Sequence, residues 1–547
     1  MALEKIKTQK SKTMKIEKQN RREFLQASAA GIAALSIMKN VNAKSVAESD
    51  TNEELIEITI SELQAKMKSG DISAEKLVEK YLERIKDVDP KLNSIIETNP
   101  DALRIAEDLG KERKNGRLRG ALHGIPVLIK DNIDTADKMK TTAGSLALLN
   151  APTPKQDAFI VQQLRKSGAV ILGKTNLSEW ANFRSTNSTS GWSGRGGQTR
   201  NPYILDRNAC GSSTGSGAAI AANLAAVGIG TETDGSIVCP ASICGIVGLK
   251  PTLGLISRSG IIPIAHSQDT AGPMTRTVTD AAILLSALTA VDRSDSATVQ
   301  NDKKAAKDYT RFLQTDGLRG ARIGVARQFW GKNADVDKTL NDSLDKMKNA
   351  GATLVDVKFP TLDKFGDAEF EVLLFEFKAD LEKYLAERNA PYKTLTELIK
   401  FNADNAAREM PYFKQEIFEM AAKKGNLQTR AYRLALQKSK MLTQTQGIDA
   451  VMIKDKLDAI VSPSNAPTWL IDFINGDCGS NYISSSSIAA VAGYPNITVP
   501  AGFVKNLPVG ISFFGRAFSE PTLIKIAYAF EQATKARKVP KFLPTYS

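Results

Sequence analysis

Histidine is almost missing from this chain. His123 and His266 are the only two among 547 residues, beside four cysteines, Cys210, Cys239, Cys244 and Cys478. Catalytic transition-metal sites draw mainly on these residue types, so no metal site is expected; no cofactor is expected either. A histidine-driven serine nucleophile downstream of position 210 would have only His266 to use. Cys239 and Cys244 lie close enough in sequence to pair in an oxidising compartment. The simpler reading makes the cysteines small buried core residues. Aromatic residues make up 6%, and no basic stripe is interleaved with them, so no nucleic-acid partner is expected. There is no internal repeat, and no low-complexity tract beyond Ser484–Ser487.

What is present is ordinary globular composition, 42% hydrophobic and 24% charged, in a chain long enough for a large core. The formal charge is +13, of which residues 1–43 supply +6 from nine Lys/Arg and three Asp/Glu. That segment reads as an address. Arg21-Arg22-Glu23-Phe24-Leu25 precedes an apolar run from Ala27 to Met38, too short to span a bilayer comfortably, and Val41-Asn42-Ala43 has the small residues of a cleavage site. The pattern is that of a twin-arginine export signal. The expectation is removal of 1–43, a mature chain from about Lys44 to 547, and a periplasmic or secreted protein with no stable membrane anchor.

The rest alternates helices and strands. Ser61-Glu62-Leu63-Gln64 fits a capping box, and Leu77, Val78, Tyr81, Leu82 and Ile85 mark an amphipathic helix. A helix is predicted over Ala102–Arg113, a strand at Val127–Ile129, a helix over Ala158–Ser167 and a strand at Ala169–Gly173. Further along, Val278–Ala290 and Val336–Ala350 read as helices, and Arg322–Ala326 and Ala459–Val461 as strands, with a turn at Ser462-Pro463. The last two strands lie within Gly493–Pro500 and Val509–Phe513, before a closing helix through Leu523, Ile526, Ala527 and Phe530. Residues 361–450 read as a helical cap or insertion. Helices alternating with strands in this way suit an α/β fold with a parallel or mixed sheet.

The stretch Cys210–Thr252 carries the chemistry. It places Ser212 and Ser213 in a glycine-rich loop and a second glycine-flanked serine, Ser236, further on. Gly211-Ser212-Ser213-Thr214-Gly215 matches the G-x-S-x-G elbow, yet the residues before it, 203–208, are too polar for the central strand an elbow needs. A phosphate loop would need a G-K-[ST] that does not follow. The remaining reading is a serine nucleophile driven by lysine. A hydroxyl needs a base nearby, and a buried lysine serves when desolvation removes its proton. Lys130, at the end of the apolar strand, is the candidate, and one serine can relay between it and the other.

The segment from Gly124-Ile125-Pro126 to Lys130-Asp131-Asn132, the Gly211-Ser212-Ser213 loop, Gly235-Ser236-Ile237 and Gly245–Thr252 together resemble the amidase signature family. The resemblance runs from about Ile60 to the C-terminus and is most specific between 124 and 273. It implies one large α/β/α domain with a central mixed sheet covered by helices. It also implies hydrolysis of carboxylic amides to acid and ammonia by a Ser–cis-Ser–Lys triad. Residue by residue, Ser236 takes the place of the nucleophile, Ser212 of the bridging serine and Lys130 of the lysine. The backbone N–H groups of Thr233, Asp234, Gly235 and Ser236 take the place of the oxyanion hole, with Gly211, Ser213 and Asp131 in support. Asp234 stands where most members have glycine, and Thr214 replaces a common glycine. Gly230–Ser236 and Ser267–Pro273 look like bacterial peptide amidases, so C-terminal amides of peptides are the expected substrates. The alternatives are a general aliphatic or aromatic amidase and a glutamine-hydrolysing amidotransferase subunit. The expected oligomeric state is a monomer, a homodimer being the alternative.

Overall fold

The computed structural model describes residues 53–300, 303–477 and 483–546. The expected export signal, its junction at Lys44, and Cys478 lie outside the described residues. Residues from Glu54 onward form one compact unit. Its strands are β1 Ile95–Thr98, β2 Pro126–Lys130, β3 Val170–Thr175, the small pair β4 Trp192–Ser193 and β5 Gly197–Gln198, β6 Val227–Glu232, β7 Val247–Lys250, β8 Thr270–Thr275, β9 Arg322–Ala326, β10 Thr353–Val357, β11 Ala459–Pro463, β12 Asn496–Val504 and β13 Leu507–Phe514. Eleven of them make one sheet in the order β1-β3-β2-β6-β8-β7-β12-β13-β11-β9-β10. The β3-β2-β6 and β11-β9-β10 blocks are parallel and the middle is antiparallel, so the sheet is mixed.

Strands β2, β3 and β6 are buried along their whole length. Parallel strands covered on both faces lose the alternation of a half-exposed sheet, and their short apolar runs show it. The Ala74–Val88 helix turns Leu77, Val78, Tyr81 and Ile85 inward, with only Leu82 partly exposed. The capping box lies two residues earlier than Ser61. Thr59 Oγ1 accepts from Glu62 N while the Glu62 carboxylate takes Thr59 N. The buried face Ile60, Leu63 and Met67 needs Ile60 inside the helix. Strand β10 was not expected from the sequence. It is an edge strand with two exposed and two half-exposed positions, so it has no apolar run to read. The turn expected at Ser462-Pro463 is instead the end of β11, paired with β13.

The helices Gly366–Glu387, Leu395–Asp404, Glu416–Ala422 and Arg430–Thr443 make a helical layer within 361–450. It has its own core around Leu374, Phe377, Leu381, Leu398 and Phe418, shared with Trp180 and Phe183 of the main body. The ring pairs Trp180–Phe418 and Phe183–Phe377 join at centroid distances of 5.8 and 5.0 Å. This contact sets the helical layer against the loop that walls the site. Among the described residues no helix is long and apolar enough to cross a membrane.

Candidate active site

The parallel register of β2 with β6, Val127 against Val227 and Ile129 against Ile229, brings the ends of the two strands side by side. Lys130 ends β2 and is fully buried. Its Nζ lies 2.8 Å from Ser212 Oγ, 3.0 Å from Ser213 Oγ, and 2.9 Å from Oγ1 of Thr231 on β6. Burial pulls its pKa from 10.5 down to about 7, with the nearby charges of Asp269 and Glu232 opposing the shift only partly. At neutral pH a large share of Lys130 is therefore the free amine, a base.

The serine loop is held by close backbone approach. A Cβ on Gly211 would fall 2.2 Å from Ser178 Oγ, so only glycine fits there. The Gly211-Ser212 peptide is cis. Thr214 ties the loop rather than loosening it, since its Oγ1 donates to Cys210 O at 2.6 Å. Ser213 Oγ donates to Thr231 O and accepts from Thr231 N. Its hydroxyl is thus occupied by the strand, whereas Ser212 Oγ meets only Lys130 among the described residues. The Thr214–Ala221 helix that follows is buried all round, which its run of Gly, Ala and Ser permits.

Beyond β6 the chain turns at Thr233–Ser236. The Glu232 carboxylate folds back to accept Ile237 N at 2.8 Å and Val238 N at 3.0 Å. None of the four backbone N–H groups from Thr233 to Ser236 has a protein acceptor among the described residues. They sit where Gly235 takes φ +75°, a left-handed conformation that glycine adopts at least cost. Ser213 N donates to Ser236 O, which joins the two serine segments. Ser236 Oγ has no hydrogen-bond partner among the described residues. Ser236 faces a cavity of about 630 Å³ walled also by Gly211, Thr233, Asp234 and Gly235. Such an arrangement can deliver a hydroxyl to a carbonyl carbon and N–H groups to its oxygen.

A disulfide links Cys210 to Cys239 across the wall of this cavity, with Cα atoms 6.1 Å apart. This corrects both sequence readings of Cys239. Its partner is not Cys244, which caps the end of the Val238–Ile243 helix, turns its thiol to Ala209 O and remains free and buried. Cys210 and Cys239 meet because the two serine segments face each other, a proximity invisible at a separation of 29 residues.

Asp131 does not reach the serines. Its carboxylate accepts Thr142 Oγ1 and Gly144 N and pairs with Arg195, anchoring the loop behind Lys130. Asp234 receives Ser486 Oγ at 2.6 Å and stays half-buried in the cavity wall. His266 is held by Asp380 at 2.8 Å, and the ring of His123 by Leu109 O. Neither histidine contacts a candidate serine among the described residues. Several contributors escaped the sequence reading. Thr231 and Glu232 stood inside a motif without an assigned role. Gln268, which donates to Thr233 O and Glu369, and Asp269, which accepts from Thr233 Oγ1 at 2.5 Å, lay in the second quoted motif. Glu369 comes from the helical layer and had no local signal.

A serine and free N–H donors on a cavity wall, with a buried amine and its bridging serine behind them, define a serine hydrolase that works without histidine, and here its substrates are carboxylic amides. The chain belongs to the amidase signature family: the family model described as amidase matches residues 76–524. The solved peptide amidase of Stenotrophomonas maltophilia is 48% identical, with a TM-score of 0.85, over 89% of this chain and 99% of that one. A probable amidase of Arabidopsis thaliana is 42% identical over 89% of this chain and 92% of its own. A glutamyl-tRNA(Gln) amidotransferase subunit from Thermoanaerobacter pseudethanolicus is 36% identical over 89% of this chain and 99% of its own. The expected fold class and its mixed central sheet are those observed.

Proposed function

We propose that the protein hydrolyses C-terminal amides of peptides through an acyl-enzyme on Ser236. The supporting observation is the buried amine of Lys130, 2.8 Å from Ser212 Oγ, beside the cavity onto which Ser236 and four free N–H groups open. Ser236 Oγ attacks the carbonyl carbon. Its proton passes to Ser212 Oγ as the Ser212 proton passes to Lys130 Nζ. The oxygen that gains charge is met by the N–H groups of the Thr233–Ser236 turn, where loss of a single donor costs about 3–4 kcal/mol in comparable sites. The C–N bond breaks as the proton returns from Lys130 by way of Ser212 to the leaving nitrogen, releasing ammonia. Water then reaches the ester carbonyl, gives its proton along the same route, and Ser236 is regenerated with release of the acid.

Peptide amides are favoured by the close similarity to peptide amidase and by a cavity with room for more than a single small acyl group. The test is ammonia release from a panel of peptide amides, free amino-acid amides, aliphatic and aromatic amides, and glutamine. Peptide amides should give the highest kcat/KM. Preference for glutamine or for simple amides would replace this reading with one of the two alternatives. A fluorophosphonate probe should label Ser236, and its failure to do so would remove the assigned nucleophile.

Export by residues 1–43 belongs to the same proposal. A disulfide beside the nucleophile supports it, since such bonds persist in oxidising compartments. Replacing Arg21 and Arg22 with lysine should retain the protein in the cytosol on cell fractionation. Unchanged export would overturn the twin-arginine reading.

A further inference from the structure

The titratable side chains on the wall of the catalytic cavity are, among the described residues, all acids. Asp234, Glu369 and Asp477 line it, and among the described residues no lysine, arginine or histidine does. The chain as a whole is basic, with a formal charge of +13, so this wall does not follow from composition. The three carboxylates come from separate parts of the fold: the turn before Ser236, the start of the Gly366–Glu387 helix, and the segment after β11. Each is oriented by neutral donors. Asp234 accepts from Ser486, Glu369 Oε1 from Gln268 at 3.0 Å, and Asp477 from Ser190 and from the indole N–H of Trp469.

Glu369 is only 8% exposed, and its Oε2 has no hydrogen-bond partner among the described residues. A carboxylate this enclosed is costly to ionise and keeps its proton until a cation completes it, and Oε2 is not sealed off but open to the cavity. The protein's own ammonium groups nearby point to backbone carbonyls instead. Lys440 Nζ donates to Ser267 O and Val491 O, and Lys250 Nζ to Pro251 O. A second, independent feature is aromatic. Phe183, Phe370 and Trp469 share the cavity wall with the acids, and ring faces attract ammonium and guanidinium groups.

We propose that this cavity selects amides whose acyl part carries a cationic nitrogen, with Glu369 as the specificity-determining residue. The inference rests on the proposed peptide-amide reading and names its preferred substrate class. Burial and the neighbouring Asp234 hold the Glu369 carboxyl up at about 8. An arriving ammonium or guanidinium favours the ionised form, so binding releases a proton and replaces the missing partner of Oε2.

The experiment measures ammonia release from N-acetyl-glycyl-arginine amide against the citrulline amide, which has a similar shape without the charge. Lysine against norleucine amide repeats the comparison. Leucine amide with a free or acetylated amine separates a side-chain cation from an α-ammonium. In the unmodified enzyme, kcat/KM for the cationic member should exceed that for its neutral match by about tenfold or more, as a charge-assisted hydrogen bond gives. Glu369→Gln should bring the ratio towards one. A ratio near or below one in the unmodified enzyme overturns the proposal, and so does a ratio that Glu369→Gln leaves intact. Should that variant fail to fold, the unmodified enzyme still decides. The ratio falls with rising salt if charge selects, and stays constant if it does not. Hydrolysis of the neutral amides without charge preference removes this inference alone. Absence of turnover on every amide in the series removes the peptide-amide reading as well.

Discussion

Replacing Lys130 separates catalysis from folding in one experiment. The unfolded chain holds the lysine proton up to about pH 10.5, the folded chain only up to about 7. Between those values the unfolded state binds more protons, so stability rises with pH and the buried amine weakens the fold at neutral pH. At 1.36 kcal/mol per pH unit the burden at pH 7 is about 4 kcal/mol. Removing the side chain also loses its hydrogen bonds to Ser212, Ser213 and Thr231, each worth about 1 kcal/mol. The two effects nearly cancel. Lys130→Met should therefore keep its midpoint of urea unfolding at pH 7 while kcat for ammonia release falls by about 10²–10⁴-fold, the range for loss of a general base. Lys130→Arg should be as inactive, because a guanidinium does not give up its proton. In the unmodified enzyme kcat/KM should fall about tenfold per unit as pH drops below 7, because protonation removes the base. Near-normal turnover in Lys130→Met, or a flat profile from pH 5 to 8, would refute the reasoning.

Three other perturbations test the geometry around this amine. Glu232→Ala leaves Ile237 N and Val238 N without their buried acceptor, so kcat should fall at least about tenfold and stability by about 2–4 kcal/mol; Glu232→Gln should restore most of both. Steady-state kinetics and urea unfolding read the two effects. Gly211→Ala would force a Cβ to within 2.2 Å of Ser178 Oγ and displace Ser212, and kcat should drop about 100-fold, the cost of misplacing a catalytic group by about an ångström. Joint replacement of Cys210 and Cys239 by serine should cost about 2–4 kcal/mol in urea unfolding under non-reducing conditions. With reductant present the two proteins should unfold alike, and a persisting difference would mean that the bridge is not what stabilises.

Elements with strong local periodicity or an uninterrupted apolar run were legible in the chain. The helix through Tyr81 and the strands containing Val127–Ile129 and Val325 lie where their patterns predict. Strands β7 and β8 were harder to read. β8 contains Gly272 and Pro273, and β7 contains Gly248, both residue types that weaken strand propensity. The neighbours β6 and β12 supply what local preference does not. Lys130, Ser212 and Ser236 could be singled out because their motifs are contiguous. Glu369 could not. It is one acid in a charged helical stretch, and tertiary contacts such as Phe370 and Phe377 on Phe183 bring that helix to the cavity. The pairing of Cys210 with Cys239 was hidden for the same reason, since a helix and a strand intervene.

The parallel ladder of β2 with β6 divides the molecule by its tolerance of change in length. Lys130 meets Thr231 and Ser212 only while Ile129 lies opposite Ile229. Deleting one residue from β2 would turn every following side chain to the opposite face and remove the amine from the serines. The Gly366–Glu387 helix obeys no such ladder. It is attached by loops and side-chain packing, which absorb insertions and deletions far more readily. A change in length is therefore far less tolerated in the strands that carry Lys130 and Thr231 than around the helix that carries Glu369. Divergence among chains of this fold should change what enters the cavity long before it changes how the amide is cut.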